Sequence, residues 1–183
     1  MKFSNLSYLA LSVALLAQPL MAQEQKPKPK PAGDAAPMMV VDRPTFVSVV
    51  SSANEFEIKS SELAFQNASS GDLKEAAKMI IADHQKAGEK LKGILDKKKA
   101  PLPSPIVLSP KHQKMLDQLQ AAKGKDFDTL YLDMQVQAHL EAIALFRTYA
   151  GSGDDQTVVG FAKETLPSLE THLSHVKMVV AKQ

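Results

Sequence analysis

Four side chains carry most of the chemistry open to this chain: Glu57, His84, His139 and His172. Each falls on the apolar side of a separate helical pattern. Glu57 lies four residues after Ala53 and three before Ser60, and His84 lies four after Ile80 and three before Ala87. Those spacings place both on the inward stripe of a 3.6-residue helix. His139 falls within a wide apolar arc, and His172, between Leu169 and Val176, lies at the edge of another stripe. Three imidazoles and a carboxylate at the centre of a bundle suit a transition metal: Zn, Fe, Cu or Mn. A buried Glu57–His84 pair would satisfy both groups without an ion. Both readings start from the same four residues.

Spacing from the turns shows which of these residues can meet. Glu57 precedes Gly71 by 14 residues and His84 follows it by 13. Antiparallel helices leaving that turn bring both to one level, about 20 Å along the axis at about 1.5 Å per residue. In the second half, His139 lies 12 residues before Gly151 and His172 lies 19 after Gly153. That predicts an offset of about one to two helical turns, with Pro167 as a potential kink.

Other templates are missing. A di-iron carboxylate bundle needs Glu-x-x-His on two helices, but Ile81 and Leu169 stand three before His84 and His172. Asp83, next to His84, is expected to point away from the seam, and His112 and His175 are expected at the surface. The chain has no Gly-x-Ser-x-Gly elbow, P-loop, Gly-rich dinucleotide turn or His-Glu-x-x-His motif. Its methionines form no Met-x-x-Met series, and with no cysteine there is no disulfide, thiolate site or lipidated N-terminal Cys. A net charge of +2 argues against nucleic acid as a partner.

The elements that must position these residues are helical. Residues 1–22 have the layout of a signal peptide: Met1-Lys2, an apolar run from Leu6 to Ala17, then Ala22 before the cut. Residues 23–44 form a Pro/Lys-rich linker containing Lys26-Pro27-Lys28-Pro29-Lys30-Pro31. Residues 45–183 then predict a four-helix bundle. Helix one runs from about Thr45 to Ser69. Helix two begins at an Asp72 cap, with Glu75 completing a capping box, and ends in Lys97-Lys98-Lys99. A connection rich in proline carries a short helix from Ser109-Pro110 to about Ala122. Asp126–Ala150 and a helix ending near Ala181 complete the set. Strand alternation is absent. Two helical hairpins joined by one long crossover predict an all-α, ferritin-like four-helix bundle with a short helix on the crossover.

Over residues 45–182 the chain resembles an exported bacterial family of unknown function with a ferritin-like bundle, often labelled "predicted outer membrane protein". The resemblance is carried by Glu57 with Leu63-Ala64, by Met79-x-x-x-Asp83-His84, by Phe127-Asp128-x-x-Tyr131 with His139, and by Phe161-Ala162-x-x-x-Leu166-Pro167 with His172. Ala76 stands where the family often has an aromatic residue. The resemblance implies a periplasmic bundle, associated with the outer membrane if the label holds, and Glu57, His84, His139 and His172 match the family's polar positions. Ten-residue alternating strands are missing, so the label does not imply a barrel. Two functions stay open: a non-enzymatic envelope or stress-related binding protein with a buried polar network, and a bundle that stores a transition metal or uses it in redox chemistry. The expected partners are an envelope component or a second copy, with no membrane span once the signal is removed.

Overall fold

Short polar side chains set where the helices start. The structure is a computed structural model that describes residues 41–102 and 104–183. The signal peptide and the linker up to residue 40 lie outside the described residues. Asp42 accepts the Thr45 N–H at 2.9 Å and opens α1, Arg43–Asn67, so the last two residues assigned to the linker are already helical. Proline fits there because the first turn has no partner for its missing N–H. Ser70, in extended backbone, accepts the Leu73 N–H at 3.1 Å and opens α2, Gly71–Lys97. Asp72 is therefore not the cap and Glu75 completes no capping box; Asp72 sits in the first turn, where its charge suits the helix dipole. Ser109 caps α3, Pro110–Ala121, as its Ser-Pro signature predicts. The fourth helix, α4, spans Gly124–Ser152, and Asp155 caps α5, Gln156–Val180.

Cross-helix pairs define the topology. Contacts of α1 with α4 run Phe46–Tyr149, Glu57–His139 and Ser61–Tyr131, so rising numbers on one meet falling numbers on the other. The same holds for α2 with α5, through Lys90–Glu164, Asp83–His172 and Asp72–Lys182. Each hairpin is antiparallel as well, which leaves α2 and α4 running in the same direction. A chain that continues from one to the other must travel back the length of the bundle, and the crossover carrying α3 does so.

The α4–α5 turn fastens the far ends of the other hairpin. Asp154 accepts the Arg43 N–H at 2.8 Å and the Tyr149 hydroxyl at 3.0 Å, and Asp155 pairs with Lys98 at 3.0 Å and Arg43 at 3.3 Å. Gly153 is needed there because a Cβ would stand 2.7 Å from the Tyr149 ring and carbonyl. At the opposite end, buried Asp128 of α4 accepts the Ser69 N–H and hydroxyl and holds the α1–α2 turn.

Apolar burial falls into two blocks. One contains Phe56, Leu73, Ile80, Phe127, Tyr131 and Val176; the other contains Phe46, Leu91, Phe146, Tyr149 and Phe161. On α2, α4 and α5 the buried residues between the blocks are polar, namely His84, Gln135 with His139, and His172; on α1 Ser51 and Ser52 separate the blocks, and Glu57 and Ser60 follow Phe56 at the level of the histidines. A polar belt thus crosses the middle of the bundle.

His112 is buried at 9% exposure, contrary to the expected surface position. Its Nδ1 lies 2.7 Å from Ser52 Oγ, which also accepts the Ser109 N–H at 2.8 Å, and its ring stacks on Phe56. Ser52 therefore ties α3 to α1. Ser52→Ala should lower the unfolding free energy by about 1–3 kcal/mol in urea titrations, because it leaves two buried groups unpaired. Burial, then the charge of Lys111, holds the His112 imidazole below its ordinary value. The unfolded chain takes up a proton near pH 6.5 that the native chain refuses. The contribution of His112 should be complete above that pH and decline as pH falls below it, and His112→Gln should remove that part of the slope.

Candidate metal centre

Three helices deliver one histidine each to the polar belt. Ring centroids lie 5.7 Å apart for His84–His139, 5.4 Å for His84–His172 and 5.3 Å for His139–His172. One ring nitrogen from each lies within 4.8 Å of the other two. The offset expected between His139 and His172 is absent, and the reason lies in the turn. Helix α4 continues through Gly151 to Ser152, and α5 starts only at Gln156. The hairpin therefore reverses near Asp154, about two residues later than the glycines suggest. Helix α5 also runs on through Pro167, whose missing N–H removes the bond to the Lys163 carbonyl without ending the helix.

Each imidazole has one nitrogen tied to an acceptor. His139 Nδ1 donates to the Gln135 carbonyl at 2.9 Å, one turn back on α4. His172 Nε2 donates to Asp83 Oδ2 at 2.8 Å, and His84 Nδ1 donates to Asn54 Oδ1 at 3.1 Å. A neutral imidazole has a single N–H, so the remaining nitrogens carry lone pairs. His139 Nε2 and His172 Nδ1 face each other at 3.3 Å, and His84 Nε2 is buried with no hydrogen-bond partner. Two lone pairs in contact need a cation between them, either a proton or a metal. Ligands about 2.0–2.1 Å from one tetrahedral ion sit about 3.3–3.4 Å apart, so this pair already has the spacing of a shared ion.

Burial disfavours the charged form of two of the rings, His84 and His172. Burial, reinforced by the two neighbouring rings, holds His84 well below the usual imidazole range. Burial also lowers His172, with Asp83 opposing that shift. Acceptors behind metal-binding imidazoles fix the tautomer and raise the basicity of the ligating nitrogen. Asn54, the Gln135 carbonyl and Asp83 fill that role here.

Asn54, Asp83 as a partner, and the helix carbonyl of Gln135 are not legible as supporting groups in the sequence. Asp83 does point off the α1–α2 seam, but toward α5, where His172 reaches it. Asn54 lies three before Glu57, a spacing that puts both on one face of α1.

Glu57 takes a different position. Its Oε1 lies 3.7 Å from His139 Nδ1, the nitrogen on the opposite edge from the cluster, so the structure brings the three histidines together and leaves Glu57 behind the His139 ring. The expected Glu57–His84 pair does not form, because Asn54 occupies that side of His84. Glu57 is 3% exposed and its Oε2 has no partner. Burial pushes its pKa up, opposed by His139 and the Gln135 amide. The native state therefore penalises the carboxylate above the usual carboxyl range and tolerates the neutral acid below it. In chelator-treated protein, Glu57→Gln should raise stability at pH 7, and the gain should shrink toward zero near pH 4, as read from paired urea titrations.

A cleft of about 1,090 Å3 is lined by all three histidines together with Glu57, Asn54 and Asp83. Asp83 keeps 47% of its side chain exposed, whereas His172 keeps 1%. The carboxylate thus lies between solvent and the buried rings. Among the described residues, no helix is long and apolar enough to cross a membrane.

The comparisons agree with this fold. No curated protein matches the chain significantly. A solved structure described as "CopM in the Cu(II)-bound form" is similar with a TM-score of 0.67 and 20% identity, over 79% of this chain and 99% of its own. A solved structure described as "putative secreted protein DUF305 from Streptomyces coelicolor" is similar with a TM-score of 0.63 and 14% identity, over 75% of this chain and 89% of its own. At such identities the likeness shows the helical-bundle fold alone. Residues 28–179 match the family described as "Domain of unknown function (DUF4142)", and the chain belongs to it.

Proposed function

We propose that this protein is an exported, non-enzymatic metal-binding bundle that holds one transition-metal ion on His84, His139 and His172. One observation carries the reading: three ring nitrogens converge while the other nitrogen of each ring is spent on an acceptor. A shared proton satisfies two of the three lone pairs; a metal satisfies all three. Three imidazoles without a carboxylate favour zinc or copper over iron or manganese, which prefer oxygen ligands. That one solved structure of this fold is described as Cu(II)-bound supports the choice of metal. Glu57, behind His139, acts as a supporting residue. The signal-peptide layout of residues 1–22 supports export, and with it a periplasmic location.

Burial beside an open cleft suits storage or transfer of the ion.

Metal analysis of untagged protein purified from the periplasm should give one ion per chain. His84→Ala and His139→Ala should each abolish that stoichiometry, while Glu57→Gln should retain it. Asp83→Asn should weaken binding about 10–100-fold, the usual effect of losing an acceptor behind a ligand. At a free ion concentration of about 100 Kd, binding should stabilise the wild type by about 2.7 kcal/mol and leave His84→Ala unchanged. Sub-stoichiometric metal that His84→Ala does not alter would assign the belt to proton sharing and end the metal reading.

A further inference from the structure

Glycine inside a helix is less stable than alanine, because it loses more backbone freedom on folding. Helix α2 nonetheless carries Gly88 and Gly93 in its interior, and Asn54, another weak helix former, sits inside α1. Neither glycine of α2 has left-handed backbone, so conformational freedom explains neither. Their surroundings differ. A Cβ on Gly93 would meet no atom within 4 Å, whereas a Cβ on Gly88 would stand 3.0 Å from Asn54 Nδ2 and 3.9 Å from Asn54 Cγ. The Asn54 amide therefore lies against the bare α-carbon of Gly88, one turn beyond His84 on α2.

The other end of that amide holds a ligand. Asn54 Oδ1 accepts the His84 Nδ1 proton at 3.1 Å. Non-bonded heavy atoms sit about 3.5–4.0 Å apart, so a methyl group at Gly88 would displace the amide by about half an ångström. The bond to His84 already stands near the long end of the ordinary range of about 2.7–3.2 Å, and a lengthening of that size breaks it. The loss matters because a carboxamide is ambivalent. With Oδ1 turned to His84, the ring proton stays on Nδ1 and Nε2 keeps its lone pair. With Nδ2 turned to His84, the proton moves to Nε2, which can then ligate nothing. That Nε2 is the buried atom without a hydrogen-bond partner.

From these observations we infer that Gly88 is a positioning residue of the metal centre: its missing side chain leaves the room in which Asn54 fixes the His84 tautomer able to ligate. The inference rests on the metal reading for its consequence, but the tautomer itself is present without an ion.

Two readouts separate the inference from that reading. Nitrogen NMR of the imidazole rings, at about pH 8 where an ordinary histidine is neutral, should find His84 of the metal-free wild type protonated on Nδ1 alone. Gly88→Ala, shown to be folded by circular dichroism, should move a measurable part of that proton to Nε2. It should also weaken Co(II) binding about 10–100-fold in a competition titration. Gly93→Ala, on the same helix but with open space around it, should raise the urea midpoint and leave tautomer and affinity as in the wild type. Asn54→Ala should weaken Co(II) binding as Gly88→Ala does. Adding Gly88→Ala to Asn54→Ala should cost no further affinity, because no amide is left to displace. If no Co(II) binds the wild type, the metal reading fails, and the His84 tautomer in Gly88→Ala alone decides this inference. If Co(II) binds and Gly88→Ala keeps the wild-type affinity and tautomer, or weakens binding equally in the Asn54→Ala background, this inference fails and the metal reading stands.

Discussion

Placing polar side chains in the middle of an apolar bundle is the constraint around which this molecule is arranged. A buried imidazole or carboxylate without a partner costs several kcal/mol, and here His84, Gln135, His139 and His172 lie between two apolar blocks, with Glu57 and Ser60 buried just past Phe56. The belt is tolerable only if every helix stands at the right height and rotation. A shift of one residue in α5 would turn His172 by about 100° away from Asp83 and His139. Apolar packing alone accepts many registers, since hydrophobic side chains of similar size substitute for one another. The belt accepts very few.

The ends of the bundle fix that register. Asp154 and Asp155 hold Arg43 and Lys98, so the turn of one hairpin anchors the start of α1 and the end of α2. Asp128 does the converse for the α1–α2 turn. Between these clamps the heights of His84 and His172 follow from helix geometry. The crossover contributes through Ser52, which joins the cap of α3 to the middle of α1. Exposed pairs such as Arg147–Glu170 matter much less, because solvent screens them and holding them costs side-chain entropy.

The fold was largely legible in the residues, since 3.6-residue periodicity, proline placement and Ser-Pro capping are local signals. The inward positions of His84, His139 and His172 were legible for the same reason. Errors arose where the deciding partner is remote in sequence. Asp83 looks irrelevant on its own helix because its partner, His172, lies 89 residues away on α5. His112 reads as a surface residue on a short polar helix until Ser52 and Phe56 are placed against it. Gly151 and Gly153 suggested an early turn, whereas Asp155 as a cap and Asp154 as a clamp set it later. Glu57 shows that an inward direction is not enough, since facing the core and facing the cluster are separate conditions.

The proposed metal reading rests on counting the belt's protons. Gln135 through its carbonyl, Asp83 and Asn54 can each accept one N–H, and the three neutral rings have one N–H apiece to give. That matching uses every ring proton on the outer side and directs three lone pairs inward. A structural network would gain more from the reverse assignment, with ring protons bonding ring to ring. The acceptors surrounding the cluster oppose it, and Asp83, partly in solvent, opposes it most strongly because its carboxylate cannot donate. A belt whose sole purpose was to pair buried polar groups would not leave His84 Nε2 orphaned beside two other lone pairs. The arrangement becomes economical once a cation occupies the point that the three nitrogens face, and the 3.3 Å approach of His139 to His172 is the spacing such a cation requires.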